Sequence, residues 1–306
     1  MIIAYLGPEG TSDHRAIALL KSVNDLEPLP MTSISDVVET VNFTPQLLGV
    51  IPLENSTDGE MTTNLDKLIF EAESVLIREE VVLAESINAY CLDPSIPPVT
   101  VVSHPLILDL CSNYIKQHSL AVRHALSTTE AAQIVLDEHD PTLIALAPPV
   151  VGETFDLELV ANSVMNVPDI RTRYVMIGRE VAQPTGDDRT SVVITPNNDH
   201  VGFLSAVAGK FAENDVNMNH ILSRPLAAKV GNYSMHIVFE GHITDSKVQA
   251  LMADLVTLDA SVKLLGSYPR WRGVEVCTPS PNLPKGSVDL TLEKSLLALT
   301  RPPIAK

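Results

Sequence analysis

Short apolar runs alternate with helical patterns from the first residues of the chain. Ile2–Leu6 is a predicted strand that runs directly into the loop Gly7-Pro8-Glu9-Gly10-Thr11, and Ser12–Lys21 then follows helical spacing. Leu47–Ile51 is a second predicted strand, followed by the loop Pro52–Gly59 and a predicted helix over Met61–Phe70. The theme recurs with a strand at Val99–Val102, a helix opened by Ser103-His104-Pro105 and running over Leu106–Gln117, a helix over Thr128–Leu136 capped by Ser127, and a strand at Leu143–Ala147. Strand, loop and helix repeated in this way predict an α/β fold with a mostly parallel sheet. Leu76–Ala84 and Ile87–Leu92 are expected to form the crossing between two lobes.

The pattern breaks at Gln183–Asp188, rich in Pro and Asp, which reads as a linker spanning 183–189. Beyond it the predicted order is strand Thr190–Thr195, helix Gly202–Glu213, strands Val216–Ser223 and Tyr233–Phe239, helix Ser246–Leu255 and strand Val262–Leu265. That βαββαβ order is the ferredoxin-like arrangement. Residues 271–306 form a tail with several prolines, in which Leu290–Leu299 could be a short helix.

Composition narrows the function classes. The 306 residues are 45% hydrophobic and 19% charged, as in a globular protein of two domains. With 21 Lys and Arg against 38 Asp and Glu, the net charge is −17. This opposes binding to nucleic acid or an anionic membrane, and an anionic substrate would need a local cluster of positive groups against the overall field. No basic, apolar leader opens the chain and no apolar stretch is long enough to span a bilayer. Cys91, Cys111 and Cys277 are odd in number and widely spaced, as expected of reduced thiols in the cytoplasm.

Three loops follow apolar strands directly: Gly7–Thr11, Glu54–Gly59 and Ser103–Pro105. Loops at the carboxyl ends of strands line ligand clefts in open α/β sheets, although Gly, Pro, Asn and Ser also dominate ordinary turns. No phosphate-cradling glycine motif is present, and the nine His residues show no metal-ligand spacing. Arg171-Thr172-Arg173-Tyr174, ahead of the strand Val175–Ile177, sets two guanidiniums around a hydroxyl. That pattern suits a dicarboxylate, or is simply a pair of surface arginines at a strand entry.

Taken together, AYLGPEGT at Ala4–Thr11, IPLENS-x-x-G from Ile51, SHP from Ser103, STTEAA from Ser127 and TRY-x-x-IG from Thr172 resemble the prephenate dehydratase family in order and spacing. VGFL at Val201–Leu204, LSRP at Leu222–Pro225 and GSYP at Gly266–Pro269 resemble an ACT regulatory domain. The resemblance spans roughly residues 1–270. It implies a two-lobed, periplasmic-binding-protein-like catalytic domain over 1–182 and an ACT domain over 190–270.

The implied activity is decarboxylating dehydration of prephenate to phenylpyruvate, without metal or cofactor. Thr172 and Arg173 are the expected catalytic pair, with Thr172 donating to the departing oxygen and Arg173 holding a carboxylate. Asn55, Ser56, Thr57, Ser103, Thr128, Thr129 and Tyr174 are expected to bind substrate. L-phenylalanine is the expected effector, bound across a subunit contact by Gly202, Phe203, Leu204, Asn219, Leu222, Ser223, Arg224 and Pro225 in a homodimer or homotetramer. Departures from the family pattern fall at Ser12-Asp13, Leu106, Leu110, Ile170 and Leu222, and Tyr174 stands where the family has Phe. Arogenate dehydratase and a non-catalytic cytoplasmic amino-acid sensor are the rival readings, and a fused mutase domain is not expected.

Overall fold

The computed structural model describes residues 1–57, 59–167, 170–198, 200–226, 233–274 and 276. Leu290–Leu299 and Cys277 lie outside them. The first lobe contains β1 (Ile2–Leu6), α1 (Ser12–Ile17), β2 (Glu27–Met31), α2 (Ile34–Phe43), β3 (Leu48–Asn55), β4 (Gly59–Glu60), α3 (Thr62–Asp66) and β5 (Leu76–Ala84). The second contains β6 (Asn88–Cys91), β7 (Thr100–Ser103), α4 (Pro105–Leu110), α5 (Ser112–Gln117), β8 (Ala121–His124), α6 (Thr128–Glu138), β9 (Leu143–Ala147), α7 (Pro149–Thr154) and β10 (Glu158–Ala161). The chain then returns to the first lobe as β11 (Arg171–Gly178). The two passages between lobes are bonded to each other, Glu85 N to Ile170 O at 2.7 Å and Val164 N to Ile87 O at 2.8 Å.

The last unit is β12 (Asp188–Pro196), α8 (Phe203–Glu213), β13 (Met218–Pro225), β14 (Tyr233–Glu240), α9 (Ser246–Val256) and β15 (Ala260–Pro269). Its strand order β13-β14-β12-β15 is ferredoxin-like. β12 begins at Asp188, inside the stretch read as a linker, because the Asp188 carboxylate accepts from Thr185 and Gly186 and draws the chain into the strand.

Where prediction and structure differ, specific polar groups are responsible. α1 stops at Ile17 because the Glu79 carboxylate takes the Lys21 and Ser22 N–H groups that a longer helix would use. The predicted helix 106–117 divides at Cys111, where Asn166 bonds Asp109 O and Asn113 N and interrupts the ladder. A π-helical turn over Lys67–Glu71 follows α3, and the Lys263 ammonium takes the Leu68 and Ile69 carbonyls, each at 2.8 Å. No element is predicted between Lys21 and Leu47. Yet Ile34, Val37, Val38 and Val41 stand at helical spacing on α2 and pack into the first-lobe core.

The first lobe and the last unit share one ten-stranded sheet, ordered β13-β14-β12-β15-β5-β11-β3-β1-β2 with β4 on β3. The second lobe has its own five strands, β10-β6-β9-β7-β8. The junction is the pairing of β15 with β5 at Gly266 and Ile77. Gly266 has φ +153, and a Cβ there would lie 2.3 Å from Ile77 O, so only glycine permits the approach. Val193, Leu265 and Tyr268 of the last unit consequently belong to the same buried cluster as Ile51 and Val175 of the first lobe. No helix among the described residues is long and apolar enough to cross a membrane.

Gly266→Ala should therefore lower stability by at least about 1–3 kcal/mol, the range for overpacking a closed site. A fall in Tm on thermal melting checks this, and an unchanged Tm would show that the last unit is not clamped to the first lobe here.

Candidate functional site

A crevice of about 430 Å³ lies between the lobes. Gly7, Thr11, Asn55, His104, Thr128 and Thr172 line it, so all three strand-end loops singled out above reach it. The reason is topological. β1, β3 and β7 are parallel strands or strand ends whose following loops gather on the side where the lobes face each other. The starts of α1, α4 and α6 open onto it as well, capped by Thr11, His104 and Ser127.

Thr172 is buried, and its Oγ1 accepts a hydrogen bond from Asn55 Nδ2 at 2.9 Å. The antiparallel register that sets Thr172 opposite Asn55 places the two side chains together. Asn55 is itself oriented, since its Oδ1 accepts from Thr57 N at 2.8 Å. With its oxygen already accepting from Asn55, the Thr172 hydroxyl retains its own proton to donate into the crevice.

Arg173 is not beside Thr172. β11 is extended, so successive side chains leave opposite faces of the sheet, and Arg173 points away from the crevice. Its guanidinium meets Glu54 at 2.9 Å, Glu80 at 3.8 Å and Glu60 at 4.0 Å. Burial works against its charge, but Glu80, Tyr268 and Glu54 outweigh burial and raise its pKa. The expectation that Arg173 holds a substrate carboxylate is therefore corrected. It is committed to carboxylates of the protein beneath the last unit.

Other expected binders are also occupied elsewhere. Ser56 Oγ accepts from Arg171 N, and Ser103 Oγ donates to Leu146 O at 2.7 Å in the second-lobe core; neither lines the crevice. Thr57 contributes its backbone N–H to Asn55, and Thr129 faces a neighbouring hollow with Gly10 and His14. Thr128 and Tyr174 do line the crevice.

The crevice wall is acidic rather than basic. Among the lining residues none is Lys or Arg, while Asp13 and Glu85 are both present. Ser12 Oγ donates to Glu85 Oε2 at 2.9 Å, and Arg15 stands 3.5 Å from the same oxygen. Burial, and then the Glu85 charge, push Asp13 up to about 7, and its Oδ1 has no hydrogen-bond partner. Burial also raises Tyr174 well above the usual phenol value, with Asp13 and Glu85 adding to it. The Ser12-Asp13 departure noted in the sequence is the signal that could have marked this acidic wall.

In the last unit, β13 alternates strictly in exposure. His220, Leu222 and Arg224 face the first lobe; Asn219, Ser223 and Pro225 face outward. Leu222 packs on the first-lobe core, and Arg224 forms a two-armed ion pair with Asp66 of α3, so neither side chain is open to an effector. Phe203 is a core residue. Gly202, at φ +94, and the exposed Leu204 remain on the surface. His236 of β14 is buried, and burial with His220 and Arg173 alongside pushes it down to about 3, so it is neutral.

The family model for prephenate dehydratase matches residues 3–182. The chain belongs to the prephenate dehydratase family. A prephenate dehydratase of Methanocaldococcus jannaschii is 30% identical over 271 residues, covering 87% of this chain and 97% of that protein. A crystal structure of the Staphylococcus aureus prephenate dehydratase superposes with a TM-score of 0.75 at 26% identity, covering 88% of this chain and all of that one. The Arthrobacter aurescens prephenate dehydratase in complex with L-Phe gives 0.75 at 27% identity, covering 88% and 90%.

Arg173→Met should destabilise the protein by about 3–5 kcal/mol, because Glu80 would keep a buried charge with one partner fewer. Denaturant unfolding measures this. A raised KM at unchanged stability would instead return Arg173 to the substrate.

Proposed function

We propose that the chain catalyses the decarboxylating dehydration of prephenate to phenylpyruvate in the crevice between its lobes. The observation that carries this is the Asn55–Thr172 pair, buried and facing that crevice in a member of the dehydratase family. Prephenate carries two carboxylates and a ring hydroxyl. Loss of the ring carboxylate as CO2 releases an electron pair into the ring, the hydroxyl leaves, and the ring becomes aromatic. With one proton delivered to the departing oxygen, the products are phenylpyruvate, CO2 and water.

The residues present suit that task. Thr172 donates a hydrogen bond to the departing oxygen, held in place by Asn55. The start of α6 at Thr128 offers backbone N–H groups and a partial positive charge to a carboxylate. Asp13, when protonated, removes a repelling charge and supplies a further donor. The apolar side chains of Leu106, Ile107, Leu110 and Ile170 wall the crevice and suit the ring. Arg173 is a positioning residue: it holds Glu54, the neighbour of Asn55, from behind the sheet.

The bound L-Phe of the Arthrobacter relative supports feedback control of this chain by phenylalanine. The ferredoxin-like unit is then an ACT domain, with the Gly202 turn and the outward residues Asn219, Ser223 and Pro225 meeting a second subunit in a homodimer or homotetramer. A cytoplasmic location fits the reduced cysteines. Asp13 and Glu85 favour one second reading, the aminated substrate arogenate, whose ammonium they would accept. The ratio of kcat/KM on the two substrates separates the readings.

Thr172→Val should lower kcat about 10²–10³-fold, the usual effect of losing one positioned donor, in the phenylpyruvate absorbance assay. A near-normal kcat would remove Thr172 from the chemistry. On prephenate, kcat/KM should fall as pH rises through about 7, because Asp13 is neutral below that value and repels the dianion above it. Asp13→Asn should flatten that limb, and an unchanged profile in the variant would exclude Asp13 as its cause.

A further inference from the structure

Behind the sheet, where the last unit meets the first lobe, three side chains from distant parts of the chain converge. Glu60 comes from β4, His220 from β13 and His236 from β14. One ligand-type atom from each lies within 4.8 Å of the others. His220 Nε2 is 3.1 Å from Glu60 Oε1, yet it is not aligned as a hydrogen bond and has no other hydrogen-bond partner. His236 is buried, and its Nδ1 has no partner either. One buried imidazole nitrogen without a partner, and a second that meets a carboxylate without hydrogen-bond alignment, are unusual together, because a buried polar atom left unsatisfied is destabilising by about 1–3 kcal/mol.

We propose that Glu60, His220 and His236 form a binding site for a divalent transition metal of the zinc class, tying the last unit to the first lobe. Two imidazoles and one carboxylate are an established ligand set for zinc, leaving a fourth position for water. In a tetrahedral site of this kind the ligand atoms stand about 3.3 Å apart, which the His220–Glu60 approach nearly meets already. The outer support is also present. His236 Nε2 is 2.8 Å from Ser191 Oγ; when it donates there, Nδ1 carries the lone pair that a metal needs. The side chains of His220 and Glu60 are only partly buried.

Among the described residues, the carboxylates of Glu54, Glu60 and Glu80 stand beside the guanidiniums of Arg173 and Arg189, and Arg224 nearby is matched by Asp66. Arg173 keeps Glu54 and Glu80 if the metal takes Glu60. Glu60 is paired with Glu54 across the β3–β4 hairpin, next to Asn55. An ion here would therefore fasten the hairpin that carries a crevice residue to β13 and β14. This site does not depend on which reaction the crevice performs.

The test uses the full-length protein stripped with chelator, titrated with zinc sulfate by calorimetry, and then measured for retained zinc by elemental analysis after gel filtration. One zinc per chain is expected. His220→Ala and Glu60→Gln should each weaken binding about 100-fold or more, while the control His139→Asn, on an exposed residue, leaves it unchanged. Both informative variants alter half-buried side chains, so the test survives if His236→Ala fails to fold. Cobalt substitution should give the intense visible bands of a tetrahedral centre in the wild type and lose them in His220→Ala. No retained zinc, or retention and spectra equal in wild type and both variants, overturns the proposal.

Discussion

The alternation of side chains along β11 organises the molecule. One extended strand sends Thr172 and Tyr174 into the interlobe crevice and Arg173 to the opposite face. The proposed chemistry and the contact with the last unit are therefore separated by the thickness of a single sheet. Because β11 lies between β3 and β5, Thr172 meets Asn55 on one neighbour while Arg173 meets Glu80 on the other. A shift of register by one residue would exchange the two faces and remove both arrangements.

A chain of net charge −17 that takes a dianion must solve the problem locally. It does so without Lys or Arg among the crevice-lining residues. In the proposed function, helix starts, neutral amide and hydroxyl donors, and an aspartic acid whose burial raises its pKa to about 7 are the groups that would supply the attraction or remove the repulsion. The guanidiniums are placed behind the sheet, where Arg173 and Arg189 neutralise the buried Glu80. Glu80 is almost wholly enclosed, so the ion pairs there hold the last unit in one orientation rather than in a loose contact.

The same interface explains how the last unit can influence the crevice. Gly266 lets β15 join β5, and Leu222, Arg224 and Lys263 dock on the core, on α3 and on the π-helical turn. Each contact touches an element one or two steps from Asn55. A change in how the last unit is held would reach the β3–β4 hairpin through Glu54 and Glu60, with coupling of the usual size of about 1–3 kcal/mol. Leu222, unusual when read as an effector contact, is apolar because it lies against the first-lobe core.

Local pattern alone determined a good deal: β1 and β9 at their observed bounds, the Ser127 cap, the βαββαβ order, and the strand-end loops that meet at the crevice. These follow from short-range periodicity and turn chemistry. Only the tertiary structure decided the rest. Ser103 and Ser56 look like binders, but neither lines the crevice: Ser103 donates to Leu146 O, and Ser56 accepts from Arg171 N. Arg173 looks like the partner of Thr172 until the strand assigns it the other face. Asp13 is an ordinary surface acid in one dimension and becomes an acid near neutrality through burial beside Glu85. Glu60, His220 and His236 carry no motif, since their meeting depends on the last unit and the first lobe sharing one sheet. Periodicity reports which way a side chain can point relative to its neighbours in the chain; what waits there comes from residues far away in it.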